Sequence, residues 1–161
     1  MQTILDACRG LAETTLPPGE VLIAEGARTG LLFILIEGRV EILKGDFQVY
    51  VASEPGAVFG EISALLDIPH TATVKTVAPS RLYVAGPGGD FLRSHPEIAY
   101  LVSKMLAQRL YGVTTYLSDL KAQFEEHRDH FSMVDEVLVT LMHQQDEGFA
   151  PGSDRHPDPT L

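Results

Sequence analysis

Tryptophan is absent from this 161-residue chain, and cysteine occurs once. A single thiol excludes an internal disulfide, so an apolar core has to hold the fold, and Cys8 alone fits a reducing, cytosolic compartment. Basic residues are scarce: 12 Lys and Arg face 22 Asp and Glu, a formal net charge of −10. Such a surface repels nucleic acid and anionic membrane, and a small anionic ligand would need a strong local positive field. Long apolar runs are missing too. The longest evident one, LLFILI at 31–36, is far too short to span a bilayer. The opening MQTILDACRG has no basic stretch leading into a long apolar one, so it does not read as a secretion signal. A cytoplasmic protein is the expectation.

What is present is a globular composition, 45% hydrophobic and 21% charged, and enough chain for one domain with a real core. Ile4, Leu5, Cys8 and Leu11 share one helical face, so 3–13 reads as a short amphipathic helix, broken by TTLPPGE. From 21 to about 85 the signals are those of strands: VLI, then LLFILIEGRVEILK, FQVYVA, TATVKTV and RLYVAG. The pair Gly45-Asp46 between two such runs signals a two-residue hairpin. One segment interrupts them, GEISALL at 60–66, which reads as a turn or two of helix. Many short strands with Gly-rich turns point to a sandwich, barrel or roll.

After GPGGD the period becomes helical, and Pro96 suits a first helical turn. Leu106, Leu110, Val113, Leu117, Leu120 and Phe124 follow at spacings of four and three. That is a heptad seam, which fits either a helix lying on its own roll or one pairing with a second copy in a homodimer. Phe131, Val134, Leu138 and Leu141 mark a last helix, with Ser132 and Asp135 placed as a capping box. The expected organisation is a domain over 1–130 including a long helix at 96–128, a further helix at 131–146 and a disordered, proline-rich tail at 147–161.

The pattern PPGEVLIAEG, LLFILIEGRVEIL and GAVFGEISALLDIPHTATV, with Gly26 and Gly38 at matching spacing, resembles the cyclic nucleotide-binding domain of the catabolite-activator and protein-kinase-regulatory superfamily, over about residues 15–125. The resemblance implies an α+β fold: an antiparallel, jelly-roll-like β-roll with a short N-terminal helix, an internal phosphate-cassette helix and long C-terminal helices. It implies that the segment 59–74 holds a cyclic phosphate on the amides at the start of GEISALL, a helix N-terminus being a ready anion site. Phe59, Gly60, Glu61, Ile62, Ser63, His70, Thr71 and Ala72 are the ligand-contacting positions it assigns, with Glu61 on the ribose hydroxyl. Read without the resemblance, Glu61 merely complements the helix dipole. Thr71 in relatives contacts a guanine amino group, so cyclic AMP and cyclic GMP are both candidate ligands. Thr114 and Thr115 lie where relatives touch the base.

His70 departs from the pattern, because the family usually carries arginine there. Arginine is always charged and grips phosphate with a fork of donors; histidine offers one donor to a given oxygen and is mostly neutral at pH 7. Losing one charge-assisted bond costs about 1.5–3 kcal/mol, or ten- to a hundredfold in affinity. His70 is either a weakened phosphate ligand, whose affinity should rise as pH falls from about 8 to about 6, or a loop residue with no ligand role.

Other chemistry finds little support. The strands carry almost no histidine for a metal-binding cupin, no Ser-His-Asp or Cys-His set is evident, and His127 and His130 fit a solvated helix face. No catalytic or metal-ligating residue is assigned and no cofactor is required. Two functions remain: a sensor that signals through its C-terminal helices to an effector protein, or an interaction module that kept the fold and lost the ligand. Neither involves nucleic acid or membrane.

Overall fold

Thr3 opens the first helix, α1 (Ile4–Ala7), with a reciprocal cap: its hydroxyl accepts from the Asp6 N–H and the Asp6 carboxylate accepts from the Thr3 N–H, both at 3.2 Å. The computed structural model describes residues 3–123 and 132–143. The helix is shorter than the 3–13 expected from its apolar spacing. Residues 12–16 instead form a strand, β1 (Ala12–Leu16), paired antiparallel with β8 (Ser80–Ala85). Its hydrogen bonds come from a segment some 65 residues away, which outweighs the weak helical propensity of a stretch containing two threonines.

Between them lie β2 (Val21–Ile23), β3 (Leu32–Glu37), β4 (Val40–Lys44), β5 (Phe47–Ala52), β6 (Val58–Phe59), the helix α2 (Glu61–Leu66) and β7 (Thr73–Thr76). The strands form two four-stranded antiparallel sheets, in the orders β1-β8-β3-β6 and β2-β7-β4-β5. Lys44 faces Phe47 across Gly45-Asp46, the two-residue hairpin that the sequence signals. The β-roll expectation is therefore met, with two strands, β1 and β6, beyond those that the sequence marks.

The apolar run at 31–36 has a simple cause. β3 is buried on both sides: Phe33 and Leu35 pack between the sheets with Ile23, Val40, Phe59, Val74 and Leu82, whereas Leu32 and Ile34 pack toward the helices with Cys8, Val58, Leu92, Ile98 and Val102. A strand covered on two faces loses its alternation. The helix-facing layer is completed by α1, α3 (Gly88–Ser94) and the first turns of α4 (Pro96–Gln123). α3 begins inside the GPGGD stretch that reads as a break, since Gly88 is used for close packing: a β-carbon there would meet Ala64 Cβ at 2.8 Å and Leu32 Cγ at 3.0 Å. Cys8 is fully buried, and burial pushes its thiol up to about 11, well out of the reactive range.

The chain divides into two compact units, the first running to Ala107 and the second from Gln108. The boundary falls within α4. The second unit holds the remainder of α4 and the last helix, α5 (Ser132–His143), inside the 131–146 expected for it. Of the seam, Leu106 packs in part on the helix-facing core of the first unit. Leu110 and Val113 are exposed, at 44% and 51%, and Leu117 and Leu120 are half-buried. Phe124, the break near 130, the side chains of Ser132 and Asp135, and the tail at 147–161 lie outside the described residues. No helix among the described residues is long and apolar enough to cross a membrane, and none of their His, Cys, Asp and Glu side chains cluster as a metal site would require.

Candidate ligand-binding site

The segment 59–74 leaves the roll at β6, makes one short helix and returns as β7. Gly60 makes the entry turn with φ 89°, and a β-carbon there would overlap the carbonyl oxygen of Leu31 and press on Ile23 Cδ1 at 3.3 Å. Any other residue would be both strained and obstructed. The Ala64 N–H donates to the Gly60 carbonyl at 3.1 Å and starts the helical pattern, so the N–H groups of the first turn point out of the N-terminal end of α2. Gly60 has no side chain to cap them.

Glu61 is the first residue of α2 and only 4% exposed, which is unusual for a carboxylate. Ser63 is also buried; its hydroxyl donates to the Ile68 carbonyl at 2.5 Å and so closes the turn after α2. Ile62 faces outward and Ala72 is half-buried. Phe59 spends its side chain in the layer between the sheets, opposite Phe33. Thr71 is exposed, and its carbonyl accepts from Lys44 Nζ at 2.6 Å. Thr114 and Thr115 lie on α4 in the second unit, where the Thr114 hydroxyl donates back to the Leu110 carbonyl at 2.8 Å.

His70 is 3% exposed. The loop between β2 and β3 grips it three ways: the Gly26 N–H donates to its carbonyl at 2.8 Å, its own N–H donates to the Ala27 carbonyl at 2.9 Å, and its ring Nε2 lies 2.7 Å from Thr29 Oγ1. Burial holds the imidazole below its ordinary pKa of 6.5, because the charged form loses its water. The free protein therefore carries a neutral, hydrogen-bonded histidine here rather than a fixed cation.

Two cations border the segment. Arg28 donates to the Asp67 carbonyl at 3.3 Å and lies 3.7 Å from its carboxylate. Lys44 pairs with Glu25 at 2.8 Å while holding the Thr71 carbonyl. That pairing, with a further bond from the Gly45 N–H, lowers the Glu25 pKa. Thr29, Arg28 and Lys44 were not legible as site residues. Thr29 stands 41 residues from His70, and nothing in EGARTG marks a partner for it.

Residues 13–92 match the model of the cyclic nucleotide-binding domain. Over 112 residues the chain is 31% identical to a CRP-like cAMP-activated global transcriptional regulator of Mycobacterium tuberculosis, covering 65% of this chain and 49% of that protein. Over 82 residues it is 33% identical to a cAMP-dependent protein kinase regulatory subunit of Yarrowia lipolytica, covering 48% of this chain and 22% of that protein. The match thus spans about half of the first relative and less of the second. In structure it resembles the catabolite activator protein of Thermus thermophilus, with a TM-score of 0.61 at 22% identity over 73% of this chain and 59% of that one, a likeness of fold.

Proposed function

Because residues 13–92 belong to the cyclic nucleotide-binding domain family, we propose that this protein is a non-enzymatic sensor whose 59–74 segment takes a cyclic nucleotide, cyclic AMP or cyclic GMP, at a weakened phosphate site. The observation that carries this reading is the entry to α2. A left-handed Gly60 with no room for a side chain leads into the N–H groups of a first helical turn and into a buried Glu61. Amides and helix dipole suit the phosphate, and the carboxylate suits a ribose hydroxyl. His70 in the arginine position supplies one neutral donor in place of a charged fork, which lowers affinity without abolishing it.

Output runs through the C-terminal helices to an effector protein. The exposed Leu110 and Val113, with Leu117 and Leu120 on the same helical face, support a homodimer through 106–124. No nucleic-acid contact is part of this reading, since the chain's charge is −10.

A second reading has its own support. His70 is already buried and bonded to Thr29, as a residue with no ligand role would be. On that reading the domain is an interaction module that kept the fold and lost the nucleotide. Mass spectrometry of small molecules released from the denatured purified protein, with calorimetric titration of cyclic AMP and cyclic GMP, separates the two. Saturable binding of either nucleotide supports the sensor; a folded protein that binds neither supports the module.

A further inference from the structure

Residues 59–74 contain two acidic side chains, Glu61 and Asp67, and no lysine or arginine. The cations set against the segment come from elsewhere in the chain, and both are already engaged. Arg28 faces the Asp67 carboxylate at 3.7 Å and donates to the Asp67 carbonyl. Lys44 pairs with Glu25 at 2.8 Å and donates to the Thr71 carbonyl. Each cation has a carboxylate of its own, so the two pairs cancel before Glu61 is counted. Lys75 follows the segment directly, but it alternates with Val74, which packs between the sheets, so its side chain leaves on the opposite face of β7. Where the sequence pattern usually has arginine, His70 is buried and held below its ordinary pKa, and so is neutral near pH 8. In a chain of net charge −10 an anion needs a local positive field, and these groups do not supply it.

We propose that, because its bordering cations are already paired, the 59–74 site takes an uncharged purine nucleoside at least as tightly as the corresponding cyclic phosphate. This rests on the sensor reading above, since it keeps the ligand at the same segment and its ribose on Glu61. An ionised phosphate gives up water on entering a site, and only an opposite charge with good hydrogen bonds returns that cost. The N–H groups at the start of α2 bond to any acceptor oxygen, a hydroxyl as well as a phosphate oxygen. The helix has six residues, under two turns, and its dipole is worth at most about half a unit charge. A nucleoside brings hydroxyls for the N–H groups and for the carboxylate, and no charge to desolvate. Removing the phosphate therefore costs the ligand little here, whereas an arginine at position 70 would make the phosphate the favoured group.

The test is calorimetric titration of the full chain at about pH 8, where the imidazole is neutral, with adenosine, guanosine, cyclic AMP and cyclic GMP. The expected result is a nucleoside that binds as tightly as its cyclic phosphate, or more tightly. His70→Arg should reverse the order, strengthening the cyclic forms about ten- to a hundredfold and leaving the nucleosides unchanged. A wild-type protein that binds a cyclic nucleotide more than about threefold tighter than its nucleoside overturns the proposal and leaves the sensor reading standing. A folded His70→Arg with the wild-type preference also overturns it, since the missing charge would then not be the cause. Should His70→Arg not fold, the wild-type comparison decides alone. A folded wild type that binds none of the four compounds overturns the proposal and the sensor reading together.

Discussion

Gly60 lies so close to Leu31 that the carbonyl oxygen of Leu31 occupies the place where a β-carbon would stand. The contact joins the entrance of α2 to the loop ahead of β3, and it leads to the first prediction. Gly60→Ala combines left-handed strain with overlap on backbone, so it should destabilise the fold by about 2–4 kcal/mol. Gly26 also has a positive φ, 83°, but open space around it, and Gly26→Ala should cost only about 1–2 kcal/mol. Urea midpoints of the two variants check this; equal losses would show that the overlap at 60 relaxes freely.

His70 makes stability depend on pH. Its folded-state pKa is depressed by burial, whereas in the unfolded chain it titrates near 6.5. Between those values the unfolded state binds more protons, so stability rises with pH there. The contribution is complete above about 6.5 and is lost as pH falls through the folded value. Wild type should therefore lose more stability than His70→Gln between about pH 7 and pH 5. Superimposable profiles would remove the buried, neutral histidine from the account.

Binding should run in the opposite sense. A phosphate anion near His70 raises its pKa, so affinity increases as pH falls. Because the free-protein value lies below 6.5, the increase starts at the bound-state pKa and continues lower than the window of about 8 to 6 that the sequence suggests. His70→Arg should strengthen cyclic AMP or cyclic GMP binding by about 1.5–3 kcal/mol, and His70→Ala should weaken it and flatten the pH dependence. Titration of the three proteins at two pH values is decisive. Tight wild-type binding with no pH dependence would leave the phosphate to the amides of 61–63 alone.

Leu117→Glu tests the assembly. If the 106–124 face meets its twin, the variant buries an unpaired charge and the dimer comes apart. Sedimentation at micromolar concentration should show a dimer for the wild type and a monomer for the variant. A monomeric wild type would refute the interface.

The amino-acid sequence by itself determined the roll. Strand periodicity, the Gly45-Asp46 hairpin and the continuous LLFILI run are local signals, because alternation and turn chemistry act over a few residues. Gly60 and Glu61 were legible for the same reason, since a glycine entering a helix and a carboxylate at its first turn are neighbours in the chain. Tertiary structure decided the rest. Residues 12–16 became β1 only because β8 supplies the hydrogen bonds, and no propensity within AETTL announces that partner. His70 read as a candidate phosphate ligand in the loop; burial lowered its pKa and its ring came within hydrogen-bond distance of the Thr29 hydroxyl. Charge state and hydrogen-bond partner depend on what surrounds a group in space, and these surroundings come from a loop about 41 residues distant.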